Sequence, residues 1–114
     1  MNVSTLAQSL GLKVLATGNM EREVACGYAC DLLSWVMAHG QAGMAWITVQ
    51  THLNVIAVAS LLDMAAVIIP EGIDLDASTL EKADEEGITV LSSELPAYDL
   101  ICRMHELKVP GVQG

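Results

Sequence analysis

From Gly43 onward the chain repeats one pattern three times: a short apolar run, then a stretch of helical composition. Ala45 to Val49, Ala65 to Ile69 and Ile88 to Leu91 read as strands, and Leu53 to Leu62, Ala77 to Glu86 and Ser93 to Leu107 as helices. Strands that alternate with helices join in parallel, because each helix crosses back over the sheet before the next strand begins. The pattern predicts an α/β fold, a three-layer α/β/α sandwich with a mainly parallel sheet of four or five strands. The run Ala65 to Ile69 is apolar without a break and closed by Pro70, as in an internal strand covered on both faces. Helix Leu53 to Leu62 carries almost no polar side: Leu53, Val55, Ile56, Val58, Leu61 and Leu62 surround it. A helix apolar all round is buried on more than one side. In so small a domain, another subunit is a candidate for the second cover.

The first 42 residues are less regular. Ser4 is placed to cap a helix through Leu10, with Gly11 as its stop. Leu12 to Ala16 and Val24 to Tyr28 are strand-like, separated by a turn at Thr17-Gly18-Asn19. The connection is too short for a parallel crossover, so these strands are antiparallel neighbours or not directly paired. Asp31 is placed to cap a helix from Leu32 to Ala38, with Leu32, Leu33, Val36 and Met37 as its buried stripe and Gly40 as its stop. Downstream, Asp74 or Asp76 opens the acidic helix, whose stripe is Leu80 and Ala83 and whose end is Gly87. Ser93 is placed to cap the last helix, with Pro96 in its first turn, and residues 109–114 should fray.

With 114 residues the chain reads as one domain, 1–114, able to hold a core without staples. Aromatics are only 4% and Phe is absent, so Ala, Val, Leu, Ile and Met must fill that core. Fourteen acidic residues against five basic ones give a net charge of −9, which argues against nucleic acid and against anionic membranes as partners. The most apolar run, Leu53 to Pro70, is interrupted by Ser60 and Asp63 and falls short of a membrane span. No export signal is visible at the N-terminus, and three cysteines suit free thiols in a reducing compartment, so a cytoplasmic location is expected.

In a parallel sheet, ligands bind beyond the carboxyl ends of the strands. That rule selects Thr48, Gln50, Thr51, His52 and Asn54, which join two amides, two hydroxyls and an imidazole at one strand-to-helix turn. It also selects Gly27, Tyr28 and Asp31, where the tyrosine could stack on a planar ligand, then Gly72, and finally Ser92 and Ser93. Capping and turn formation explain many of the same residues. No metal or cofactor is expected: Cys26 and Cys30 are four apart between a strand and a helix, and His39, His52 and His105 have no ligand spacing. Phosphate-loop, dinucleotide and nucleophile-elbow motifs are absent. Three function classes stand: a ligand-sensing regulatory domain, a protein-interaction module without a small ligand, and a small enzyme using His52 or a cysteine.

The stretches REVACGYACDLLSWVM, AWITVQTHLNVIAVASLLDMAAVIIPEG and TLEKADEEGITVLSS resemble the DRTGG domain, most strongly over 20–107. This α/β module occurs alone, beside CBS domains in regulated pyrophosphatases, and near phosphotransacetylase domains. It is similar in fold to the N-terminal domain of HPr kinase/phosphorylase. Of the Thr-Gly-Gly that family members often carry after the strand matching Ala65 to Ile69, this chain keeps Gly72, and Cys26 replaces one glycine of a pair near Gly27. The resemblance implies a non-catalytic regulatory domain working as a homodimer. The resemblance does not name the ligand; a nucleotide or phosphorylated small molecule is the candidate ligand of the sensing hypothesis, and a separately encoded enzyme its candidate target.

Overall fold

The computed structural model covers residues 1–114 and contains one five-stranded sheet. Its elements in chain order are α1 (Val3–Leu10), β1 (Lys13–Ala16), β2 (Cys26–Ala29), α2 (Leu33–His39), β3 (Met44–Ile47), α3 (Leu53–Leu61), β4 (Ala66–Ile69), α4 (Ala77–Glu86), β5 (Val90–Ser92) and α5 (Ala97–Glu106). The strand order is β1-β5-β4-β3-β2, with β2 through β5 parallel and β1 antiparallel to β5. The strands β1 and β2 therefore occupy opposite edges, and of the two arrangements the short connection allowed, the unpaired one is realised.

Successive parallel strands advance in one direction, so the three crossover helices share one face. Val36 of α2, Val55, Ile56, Val58 and Ala59 of α3 and Ala83 of α4 pack there against Met44, Trp46, Val67, Ile69 and Val90. The alternate residues Ala45, Ile47, Ala66, Ile68 and Leu91 face the other way, toward α1 and α5. Every residue of β3 and β4 is buried, as expected of strands covered on both faces. The unidirectional winding also removes the strand-order reversal that normally opens a ligand crevice in such sheets. A site here has to be made by loops and by the opposite helical layer.

Several local expectations are corrected. Helix α1 is capped by Asn2, whose side chain accepts from the Thr5 N–H, and not by Ser4. Helix α2 starts after Leu32 with no side-chain cap, and only Val36 of its four stripe residues is buried. Leu33 is partly covered, whereas Leu32 and Met37 face solvent. Helix α3 is covered by the sheet and flanked by α2 and α4, while Leu53 and Leu61 stay exposed, so no other element of this chain supplies the outer cover. Ser93 does not cap α5: its hydroxyl accepts from the Leu95 N–H in the preceding loop, and Pro96 occupies the cap position. The C-terminal tail does not simply fray, since the Pro110 carbonyl accepts a 2.8 Å hydrogen bond from Gly27 on the edge of β2.

Of the two aspartates able to open α4, Asp76 does so, accepting from the Thr79 N–H and the Ser78 hydroxyl, both at 2.9 Å. These bonds hold the Asp76 carboxyl below its ordinary value, chiefly through the Thr79 N–H. The Arg22 guanidinium, bridged to Asp63 at 2.9 Å, does the same to the Asp63 carboxyl. A carboxyl depressed on folding stabilises above its unfolded value of about 4, and that contribution is lost as pH falls through the lower folded value. The urea midpoint should therefore fall on acidification below roughly pH 4. The Asp76→Asn chain keeps a good cap without that titration, and should show a shallower acid decline in urea melts.

Candidate functional site

The residues after β2 and β3 form a knot of hydrogen bonds at the carboxyl-end rim. Thr48 is buried because it continues β3 under the rim, and its hydroxyl donates to Asp31 Oδ1 at 2.9 Å. The same oxygen accepts from the Val49 N–H at 3.0 Å, and Gln50 Nε2 donates to the Asp31 carbonyl at 3.0 Å. The Thr48 hydroxyl in turn accepts from the Gln50 N–H at 3.1 Å. Asp31 thus staples the β2–α2 loop to the end of β3 instead of capping α2, and its second carboxylate oxygen has no protein partner. From below, fully buried Trp46 donates its Nε1–H to the Cys30 carbonyl at 2.9 Å and fixes the same loop.

Two adjoining cavities open beside this knot. The smaller, about 120 Å³, is bounded by Asp31, Thr48, Val49, Pro70 and Ala97. The larger, about 260 Å³, is mostly apolar and lies between β2 and α5, with Ile101, Met104 and His105 on one wall and Val109 to Gly111 of the tail on another. Ala29 and Ile47 belong to both, so the two form one cleft running from the polar rim along the edge of the sheet. Gly27 and Tyr28 line its far part. Strand alternation nonetheless sends the tyrosine side chain toward the α2–α4 layer, where it packs on the core.

The other rim residues serve the backbone. His52 is the N-cap of α3, its Nδ1 accepting from the Asn54 N–H at 3.1 Å. Thr51 offers its carbonyl to the Thr79 hydroxyl at 3.3 Å, which ties the start of α3 to α4. Gly72 adopts φ +63 and donates its N–H to the Ser93 carbonyl at 2.8 Å. A side chain at Gly72 would be strained by that φ and would run into the Glu94 carboxylate. Ser93 also donates its N–H to the Ile69 carbonyl, and Ser92 ends β5 half-buried. The four parallel strand ends do lie on one rim, with Ala29 paired to Ile47, Ile47 to Ile68 and Ile69 to Ser92. Yet only Gly27, Tyr28, Asp31 and Thr48 of the sequence-selected residues border the cleft.

Sequence reasoning missed the wall supplied by α5 and the tail. The spacing of Ile101, Met104 and His105 was visible, but nothing local showed that this face and Val109 lie beside β2. Burial pushes the Cys26 thiol up, so it stays protonated, while Cys102 is exposed on α5. No helix is long and apolar enough to cross a membrane.

The fold is similar to that in the crystal structure of the CBS and DRTGG domains of the regulatory region of Clostridium perfringens pyrophosphatase, complexed with its activator diadenosine tetraphosphate. The TM-score is 0.70 at 13% identity, over 90% of this chain and 45% of that one. The chain thus spans less than half the length of that neighbour, and the likeness is one of fold: the architecture is DRTGG-like. No family model matches the chain, and no curated protein matches it.

Proposed function

We propose that this chain is a non-catalytic regulatory module that senses a nucleotide or phosphorylated small molecule in the cleft beside β2, and transmits that state to a separately encoded enzyme. One observation carries the reading: an apolar chamber of about 260 Å³ adjoins a polar knot whose Asp31 has an unused carboxylate oxygen. An apolar chamber takes a flat ring, and a carboxylate beside it takes a donor such as a sugar hydroxyl. No Lys or Arg lines either cavity, so the phosphates of such a ligand point outward into water, away from Asp31. The dinucleotide activator bound by the pyrophosphatase regulatory region supports the ligand class. Against catalysis, His52 spends its Nδ1 on a helix cap, and the Cys26 thiol is held in its unreactive protonated form.

Thermal-shift titration tests this with adenosine, AMP, diadenosine tetraphosphate and inorganic phosphate. A ligand at a hundredfold excess over its Kd stabilises by about 2.7 kcal/mol, a rise of roughly 10 °C for a chain this size. The nucleosides and nucleotides should raise the midpoint and phosphate alone should not. The Asp31→Ala chain should lose most of the rise. Silence from every compound would remove the ligand and leave a protein-docking module, a reading that the exposed side chains of Trp35 and Tyr98 favour.

A further inference from the structure

Strand β2 forms one edge of the sheet, with β3 on its inner side. The Cys30 N–H donates to the Ile47 carbonyl, so Tyr28 and Cys26 also turn their backbone groups toward β3. The alternate residues Gly27 and Ala29 turn theirs outward, and the Gly27 N–H accordingly reaches the tail at the Pro110 carbonyl, 2.8 Å away. The next two outward groups, the Gly27 carbonyl and the Ala29 N–H, have no partner in the protein. Both residues line the cleft, where Ile101, Met104 and Val109 supply an apolar wall. A Cβ at Gly27 would stand 3.4 Å from Met104 Cε and 3.7 Å from Val109 Cγ1, so the missing side chain keeps the approach to this edge open. The free stretch is short. The tail closes it at Pro110, and beyond Ala29 the chain turns into the Asp31 knot. A single ring system spans it, whereas an added peptide strand needs a longer edge.

We infer, on the reading that a nucleoside or nucleotide occupies the cleft, that this edge reads the base and selects a 6-aminopurine over a 6-oxopurine. In an extended strand a carbonyl and the N–H two residues later point the same way, an acceptor followed by a donor. Adenine meets that order with its 6-amino group on the Gly27 carbonyl and its N1 on the Ala29 N–H. The sugar of adenosine then lies on the N1 side of the ring, toward Asp31 and its free carboxylate oxygen. Guanine and hypoxanthine carry the reverse order, an acceptor at O6 and a donor at N1. To match the edge they have to turn over, which carries the sugar away from Asp31 and toward the tail. A side-chain amide could exchange donor for acceptor by flipping, but a strand backbone cannot, so the order is fixed.

Isothermal titration calorimetry with adenosine, purine riboside and inosine tests this on the unaltered chain. Purine riboside lacks the 6-amino donor and inosine reverses both groups, while the sugar and the ring area stay the same. Adenosine should bind about tenfold more tightly than inosine, the discrimination of a two-bond base contact, with purine riboside between them. Ala29→Pro removes the outward N–H from an edge strand, where proline costs no ladder bond. That chain should keep its fold by circular dichroism and bind adenosine about fivefold more weakly. If it fails to fold, the ligand series on the wild type decides alone. Equal affinity for adenosine and inosine, with both lost in Asp31→Ala, would overturn the base reading and leave the cleft standing. A folded Ala29→Pro chain that binds adenosine as the wild type does would also overturn it. Silence from all three nucleosides would remove the cleft reading as well, so the two failures are distinguishable.

Discussion

Replacing Trp46 by alanine should cost about 3 to 5 kcal/mol, enough to lower the melting temperature by roughly 12 to 20 °C. Trp46 is the largest fully buried side chain and sits at the centre of β3, packed into the layer of α2, α3 and α4. Its removal leaves a cavity that flanking strands cannot collapse to fill, since β3 is hydrogen-bonded on both sides. It also strips the Cys30 carbonyl of its 2.9 Å donor and frees the loop that carries Asp31. Urea denaturation followed by circular dichroism measures the first effect. The Trp46→Phe chain isolates the second: it keeps most of the volume, loses the hydrogen bond, and should drop by about 1 kcal/mol. An alanine chain within 1 kcal/mol of the wild type would mean that the core repacks around this position, contrary to its placement.

The second large effect is expected at Gly18, a turn residue that lies outside every helix and strand. A Cβ there would stand 2.8 Å from the Thr89 nitrogen and 2.9 Å from the Gly87 carbonyl carbon, and closer still to the Gly87 oxygen. These are backbone atoms at the junction of α4 and β5, and backbone has no rotamer with which to yield. The β1–β2 loop must lift away, giving up the 3.0 Å bond from the Gly18 N–H to the buried Thr89 hydroxyl. Overpacking of this kind costs about 1 to 3 kcal/mol, and the lost hydrogen bond about 1 more. Gly18→Ala should therefore melt roughly 10 °C below the wild type in a differential scan. Gly11→Ala is the internal contrast: at φ +62 it carries backbone strain, but nothing lies within 4 Å of the new carbon, and the loss should stay near 1 kcal/mol. Equal losses at the two glycines would show that close approach at Gly18 contributes nothing.

Helix α3 illustrates what a local pattern leaves open. The stretch Leu53 to Leu62 is apolar all round, which predicted a helix covered on more than one side. In the fold, Val55, Ile56, Val58 and Ala59 meet the sheet and its neighbours, while Leu53 and Leu61 look outward. The winding direction decides this: three crossover helices in one layer leave no further element of the chain to lie over α3. Helix α2 shows the converse. Leu32 and Met37 have the spacing of a buried stripe, but α2 flanks the sheet edge at β2, where the layer ends and little remains to bury them.

Order and type of the elements from Gly43 onward were legible because hydrophobic periodicity is local. Buried strands are continuously apolar, helices are punctuated by Asp76 and Gly87, and a parallel sheet follows from alternation alone. Contacts between residues distant in sequence were not legible. Asp31 next to a helix start looks like a cap until β3 brings Thr48 and Val49 within 3.0 Å of it. Ser93 looks like a cap until Leu95 claims its hydroxyl. Placing β1 beside β5, and laying the tail along Gly27 so that α5 and Val109 wall a cleft, required the whole sheet to assemble. Local composition sets which segments can be buried, but hydrogen-bond partners are assigned by distances through space, and only the tertiary arrangement supplies those.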